Sequence, residues 1–234
     1  MSPKVITFDA QGTLVDTRWS PARLGRDLID LLSLPVDREA APARLQASLG
    51  SRWVEYQAVN LLRSEIEGDA FWGRLLGDWL VEYGQPASRL DEVMDATRDI
   101  LYGPDQDYFS LYHDVMPALD AIRSRATIGV ISNWDYSLHR ILRMLGVLDR
   151  FSFVIASLEE GSEKPDPRLF GIASGRAGVM PAEMLHVGDD PIDDLEGARN
   201  AGMAAMLVDR SRFDCVPPYI ASLIAIPEVL RWTS

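Results

Sequence analysis

The sequence predicts an α/β protein: a doubly wound parallel sheet, opened after its first strand by a helical insert. Three observations predict it. Short apolar runs rich in β-branched residues recur along the chain, as expected of strands buried on both faces. In the second half they alternate with segments of helical period, the pattern of a parallel sheet with crossover helices. The stretch from residue 17 to residue 109 has helical period and no evident strand.

The first run is Val5 to Phe8. In the insert, Trp53, Tyr56 and Leu61 to Leu62 suggest one helix. Trp72, Leu75, Leu76, Trp79, Leu80 and Tyr83 repeat at three- and four-residue steps and suggest a second. Such stripes usually form core, so most of these aromatics are expected between packed helices. Further strands are expected at Thr127 to Ile131, Phe153 to Ile155, Met184 to Val187 and Ala204 to Val208. Leu138, Ile141, Leu142 and Leu145 share a helical face, and Gly146 suits a C-terminal cap. Leu169, Phe170, Ile172 and Ala173 mark another helix, and the tail from Pro217 to Trp232 is expected to pack as a last one. The expected division is therefore a core of residues 1–16 and 110–234 and a helical domain of residues 17–109.

Hydrophobic residues are 47% of the 234 and charged residues 25%, as in ordinary globular chains. The net charge of −12 argues against nucleic-acid or anionic-membrane partners. A single cysteine, Cys215, excludes an internal disulfide and a thiolate zinc cluster, and is expected to be structural. No run of 18 apolar residues marks a membrane span. The N-terminus lacks the pattern of a signal peptide, so a cytoplasmic protein is expected.

Carboxylates fall where strands end. Val5 to Phe8 runs directly into Asp9-Ala10-Gln11-Gly12-Thr13-Leu14. Open α/β sheets bind ligands at the carboxyl ends of their strands. Alone, Asp9 would equally suit a turn that caps backbone N–H groups. But the strand from Thr127 ends in Ser132-Asn133, and the strand from Met184 ends in Gly188-Asp189-Asp190, with Asp193 and Asp194 beyond. Lys164 precedes Pro165 and Pro167, and beside several acids it reads as an anion ligand rather than a solvated charge. Packing these acids together is costly without a cation. All the candidate ligands are oxygen, which selects a hard ion, foremost Mg²⁺. A cation, a Lys, a hydroxyl and Asp9 as nucleophile suit phosphoryl transfer.

With these four stretches in this order, the sequence resembles the haloacid dehalogenase-like (HAD) hydrolase superfamily. Val5 to Leu14 resembles its first motif, Ile131-Ser132-Asn133 its second, Lys164 in Lys164-Pro165-Asp166-Pro167 its third, and His186 to Met203 its fourth. The resemblance implies a Rossmann-like core carrying an α-helical cap after the first motif. It implies that Asp9 attacks phosphorus and forms an aspartyl-phosphate. Asp9, the backbone carbonyl of Gln11 and Asp189 would bind Mg²⁺. Thr13 and Ser132 would hold phosphate oxygens, and Lys164 would bridge Asp9 and phosphate. Gln11, Gly12 and Asn133 would lie against substrate, with Asp194 and Asp190 in support and Asp193 a solvated helix-end charge.

The departure from the family pattern is Gln11, where its phosphatases usually carry a second Asp as acid and base. Glutamine cannot exchange a proton, and losing that assistance typically lowers rates by about 10²–10⁴-fold. Three functions follow. The first is a Mg²⁺-dependent phosphatase of a small phosphorylated metabolite. The second is dehalogenase or phosphonate chemistry, since the family's dehalogenases also lack that Asp. The third is a binding protein without turnover. Trp19, Arg18 and Arg23 follow the first motif, and an Arg there could meet a substrate anion or simply solvent.

Overall fold

The computed structural model describes residues 2–213 and 216–232. It divides into two compact units, Met1–Asp16 with Ser110–Ser234, and Thr17–Phe109.

The first unit is built on six parallel strands: β1 (Val5–Phe8), β4 (Thr127–Ser132), β5 (Phe153–Ala156), β6 (Met184–Gly188), β7 (Ala204–Val208) and β8 (Tyr219–Ile220). Their order across the sheet is β5-β4-β1-β6-β7-β8. The chain builds outward from β1 through β4 to β5, then crosses back to place β6 on the other side of β1. This reversal opens a crevice at the carboxyl ends of β1, β4 and β6, where open α/β sheets hold their ligands. Register fixes which residues meet there: Phe8 lies opposite Val130 on β4 and Val187 on β6. All four residues of β1 are buried, so its continuous apolar run reflects cover on both faces.

Helices α6 (Val115–Ile122), α7 (Ser137–Met144), α8 (Ser157–Glu160), α9 (Pro167–Ala177), α10 (Gly197–Asn200) and α11 (Ile226–Val229) complete this unit. Leu169, Phe170 and Ala173 of α9 and Ala198 of α10 pack on Val5, Ile131, Ile155 and Met184 of the sheet. Gly146 takes φ +71° just beyond α7, the left-handed conformation expected of its cap position.

The second unit is helical. It contains α1 (Pro21–Leu32), α2 (Ala40–Ser51), α3 (Trp53–Asn60), α4 (Glu65–Glu82) and α5 (Leu90–Tyr102). The Ser20 hydroxyl accepts from the Arg23 N–H and caps α1, with Pro21 at the first helical position. Ser64 caps α4 in the same way. Trp79 of α4 is buried, and its indole N–H donates to the Ala41 carbonyl of α2 at 2.8 Å. Tyr56 and Phe71 pack with ring centroids 4.8 Å apart.

Three expectations need correcting. Two short strands, β2 (Val15–Thr17) and β3 (Phe109–Leu111), pair where the chain leaves and re-enters the first unit. The tail does not form one helix: it gives β8, a 3₁₀ turn at Leu223–Ala225 and the four residues of α11. Pro217 and Pro218 fix φ, and Pro218 has no N–H to give, which disfavours helix at the start of the tail; α-helix begins only at Ile226. Trp53 is 42% exposed, and Leu61 and Leu62 lie beyond α3 and are exposed, so that part of the stripe is surface. Cys215 lies outside the described residues.

Candidate active site

Asp9 follows β1 directly and is 5% exposed. Its N–H donates to the Val187 carbonyl at 2.9 Å, which ties the start of the loop to β6. The loop then turns tightly. Leu14 and Val15 N–H groups both donate to the Ala10 carbonyl, at 2.9 and 2.7 Å. Gly12 sits at φ +75°, and a Cβ there would lie 2.2 Å from Asp189 Oδ2, so glycine is required twice over. Thr13 is fully buried, and its hydroxyl donates to Asp189 Oδ1 at 3.2 Å.

The end of β6 is equally tight. A Cβ on Gly188 would fall 2.0 Å from Asp194 Cγ. The Asp190 carboxylate accepts from the N–H groups of Ile192 and Asp193 and starts a π-helical turn, Pro191–Glu196. That turn folds Asp194 back under the strand end. Asp194 Oδ2 accepts from the N–H groups of Asp189 (3.0 Å) and Asp190 (2.9 Å). Its Oδ1 accepts from Lys164 Nζ (2.5 Å) and lies 3.0 Å from His186 Nε2.

Lys164 is buried and donates also to Asp9 Oδ1 at 2.6 Å. Asn133 holds the lysine's backbone from both sides: its Oδ1 accepts from Lys164 N–H (2.7 Å) and its Nδ2 donates to the Lys164 carbonyl (3.0 Å). Asn133 Nδ2 also reaches Asp193 Oδ2 at 3.2 Å, so Asp193 is bonded rather than merely solvated. Ser132, at the end of β4, is buried, and its hydroxyl has no hydrogen-bond partner of good geometry among the described residues.

Burial raises the Asp9 carboxyl, against the pull of the Lys164 charge, and the neighbouring Asp194 charge raises it further. Burial and Asp194 likewise raise Asp189. Burial also works against Asp194, but the His186 hydrogen bond and the Lys164 charge hold it well below the usual carboxylate range. Burial alone would lower Lys164, yet the two carboxylates keep its ammonium charged. The site is therefore an ionised lysine among acids whose mutual repulsion is only partly relieved.

One carboxylate oxygen from each of Asp9, Asp189 and Asp194 lies within 4.8 Å of the others. Asp194 already accepts two donors on each oxygen, which fills its capacity. Among the described residues the donors of good geometry reach Asp9 Oδ1 and Asp189 Oδ1, and none reaches the Oδ2 of either. An all-oxygen set with two free carboxylate oxygens fits a hard cation better than any thiophilic metal.

Asp9, Thr13, Ser132, Lys164, Asp189 and Asp194 thus converge, with Gly12 against Asp189. Gln11 is exposed on the same loop, and Asp190 turns its carboxylate to the backbone. Arg23 belongs to the other unit, where it pairs with Asp107 and lies 4.1 Å over the Tyr108 ring. Sequence reasoning passed over His186, which is fully buried, with Nδ1 2.9 Å from the Thr7 hydroxyl. The available signal was register: Thr7 and His186 are paired polar residues on adjacent, otherwise apolar strands.

The family model of haloacid dehalogenase-like hydrolases matches residues 3–202. The chain belongs to this family. It is 30% identical to phosphatase MT3486 of Mycobacterium tuberculosis, over 90% of this chain and 89% of that protein. It is 32% identical to phosphoserine phosphatase of Thermus thermophilus, over 70% of this chain and 65% of the relative. Among solved structures it is similar to 2-haloacid dehalogenase from Pseudomonas syringae pv. Tomato, with TM-score 0.69, 31% identity, and 99% and 100% of the two chains covered. The protein is therefore a HAD-type hydrolase with a Rossmann-like core. No helix among the described residues is long and apolar enough to cross a membrane.

Proposed function

We propose that this HAD hydrolase is a Mg²⁺-dependent phosphatase of a small phosphorylated metabolite, with Thr17–Phe109 as its helical cap. The observation that carries the reading is the convergence of Asp9, Asp189 and Asp194, with the Lys164 ammonium paired to Asp9 and Asp194. Asp9, Asp189 and the Gln11 carbonyl would hold the cation, which when bound offsets charge on the phosphate. The phosphatase names of two relatives support the same chemistry.

The chain's own groups supply the rest. Lys164 orients Asp9 through its hydrogen bond and balances negative charge on the transferring group. Ser132 and Thr13 would hold phosphate oxygens, a role supported by the buried Ser132 hydroxyl having no hydrogen-bond partner of good geometry among the described residues. An oxygen of Asp9 attacks phosphorus, the bond from phosphorus to the leaving oxygen breaks, and that oxygen takes a proton from water. Water then attacks phosphorus of the aspartyl-phosphate and loses a proton to solvent, the bond to Asp9 breaks, and phosphate leaves. Gln11 orients groups by hydrogen bonds but moves no proton, which favours substrates whose leaving oxygen needs little protonation, such as aryl or acyl phosphates.

The test is hydrolysis of an aryl phosphate. Turnover should require Mg²⁺, stop in EDTA and be lost in Asp9→Asn. Equal turnover in EDTA would remove the proposal. Haloacid dehalogenation is the second reading, favoured by Gln11 and by the likeness to a solved 2-haloacid dehalogenase. Halide release from 2-chloropropionate in EDTA, absent from Asp9→Asn, would establish it instead.

A further inference from the structure

Arg210 lies two residues beyond β7 and far in sequence from the Asp9 loop, yet it is bound to that loop. Its Nη1 donates to the Gly12 carbonyl at 2.9 Å and its Nη2 to the Thr13 carbonyl at 2.7 Å. Tyr112 N–H donates to the next carbonyl, that of Leu14, at 3.2 Å. Three successive carbonyls of the turn are therefore tied down. In a trans peptide the N–H points opposite the carbonyl, so the Gly12 bond also directs the Thr13 N–H away from Arg210.

Arg210 is itself held on its other edge. Nη2 donates to Asp114 Oδ1 at 2.8 Å, and Nε lies 3.2 Å from Oδ2. The guanidinium stacks on the Tyr112 ring, 3.8 Å from its centroid. Asp114 is fully buried and accepts two more bonds on Oδ2, from the Ser222 hydroxyl and the Leu223 N–H, each at 3.0 Å. A buried carboxylate with this many donors is a fixed anchor, and a planar fork spanning it and two carbonyls has one orientation.

The turn it grips is the one that must be placed most accurately. Gly12 packs against Asp189, and Thr13 donates to Asp189 Oδ1. We propose that Arg210, anchored by Asp114 and Tyr112, is the positioning residue that sets the Gly12–Thr13 turn and, through the Thr13–Asp189 contact, the phosphate and cation site. The consequence for catalysis rests on the phosphatase reading above; the setting of the turn does not.

The experiment compares the full-length protein with Arg210→Ala and Arg210→Lys. Amide hydrogen exchange over residues 10–15, thermal unfolding, and aryl phosphate kinetics with Mg²⁺ are measured with and without guanidinium. In Arg210→Ala, exchange in that segment should rise about 10-fold or more while exchange of β4 and β5 stays unchanged. Its kcat should fall about 10–100-fold with KM within about 3-fold, the cost of a misplaced reacting group. Guanidinium at millimolar concentration should restore both readouts without raising the melting temperature, and ethylammonium should not. Arg210→Lys, which keeps the charge but not the fork, should remain folded and behave like the alanine variant.

Unchanged exchange over residues 10–15, or full activity in Arg210→Lys, would overturn the proposal. If Arg210→Ala does not fold, Arg210→Lys decides alone. If the parent protein shows no phosphatase turnover, the catalytic reading fails while the exchange result still judges the clamp.

Discussion

Gln11 is exposed on the loop after Asp9, and in the proposed phosphatase it would stand in place of an acid–base carboxylate. An amide has no proton to give at neutral pH, so under the proposed function the missing carboxylate should show in the choice of leaving group. Gln11→Asp should raise turnover of an alkyl phosphate by about 10²–10⁴-fold and that of an aryl phosphate much less, measured side by side. Equal gains on both would mean that the residue acts on something other than leaving-group protonation. His186, Asn133 and Arg210 carry the second lesson at this scale. Each acts on another site residue through space: His186 on Asp194, Asn133 on the Lys164 backbone, Arg210 on the Gly12–Thr13 turn. A linear reading finds groups that end strands, such as Asp9 and Asp189. The order of residues gives Asn133 a place at a strand end but not its hold on the Lys164 backbone 31 positions away, and it gives no sign of His186 or Arg210, because nothing in their immediate neighbourhood requires a polar partner.

Elements divide in the same way. β1, β4, β5, β6 and β7 are legible because burial on both faces leaves continuous apolar runs. β2, β3 and β8 are two or three residues long and are defined by their pairing rather than composition, so the sequence carries no sign of them. In the helical unit, period separates buried from exposed faces only where a helix is covered. Trp79 of α4 is covered and hydrogen-bonded to Ala41, whereas Trp53 of α3 is half out in solvent. Trp79→Ala should therefore destabilise the protein by about 3–5 kcal/mol in a denaturant titration. Trp79→Phe, which keeps most of the packing but loses the indole hydrogen bond to the Ala41 carbonyl, should cost about 0.5–1.5 kcal/mol. Trp53→Ala should cost far less than either.

The whole molecule joins segments that are remote in sequence, and its acid sensitivity should report the joints. Burial raises the Asp114 carboxyl, but the Arg210 hydrogen bond, the Leu223 N–H and the Arg210 charge outweigh it and hold the group below its usual range. A carboxyl depressed in the folded state stabilises at pH above its unfolded pKa of about 3.9, and that contribution fades as pH falls through the folded value. Stability to urea should thus be steady near neutrality and fall below about pH 4, with a shallower fall in Asp114→Asn. An identical slope in that variant would locate the acid sensitivity elsewhere. The site makes a stronger demand on the molecule as a whole, because β1, β4, β6 and the Lys164 segment must come together before the acids repel one another strongly enough to need a cation. Calorimetric titration with Mg²⁺, using protein stripped with EDTA, tests this most directly. The account predicts saturable binding of one ion that is abolished in Asp189→Asn and tightened by a phosphate mimic; no heat of binding in the parent protein, even with the mimic present, would contradict it.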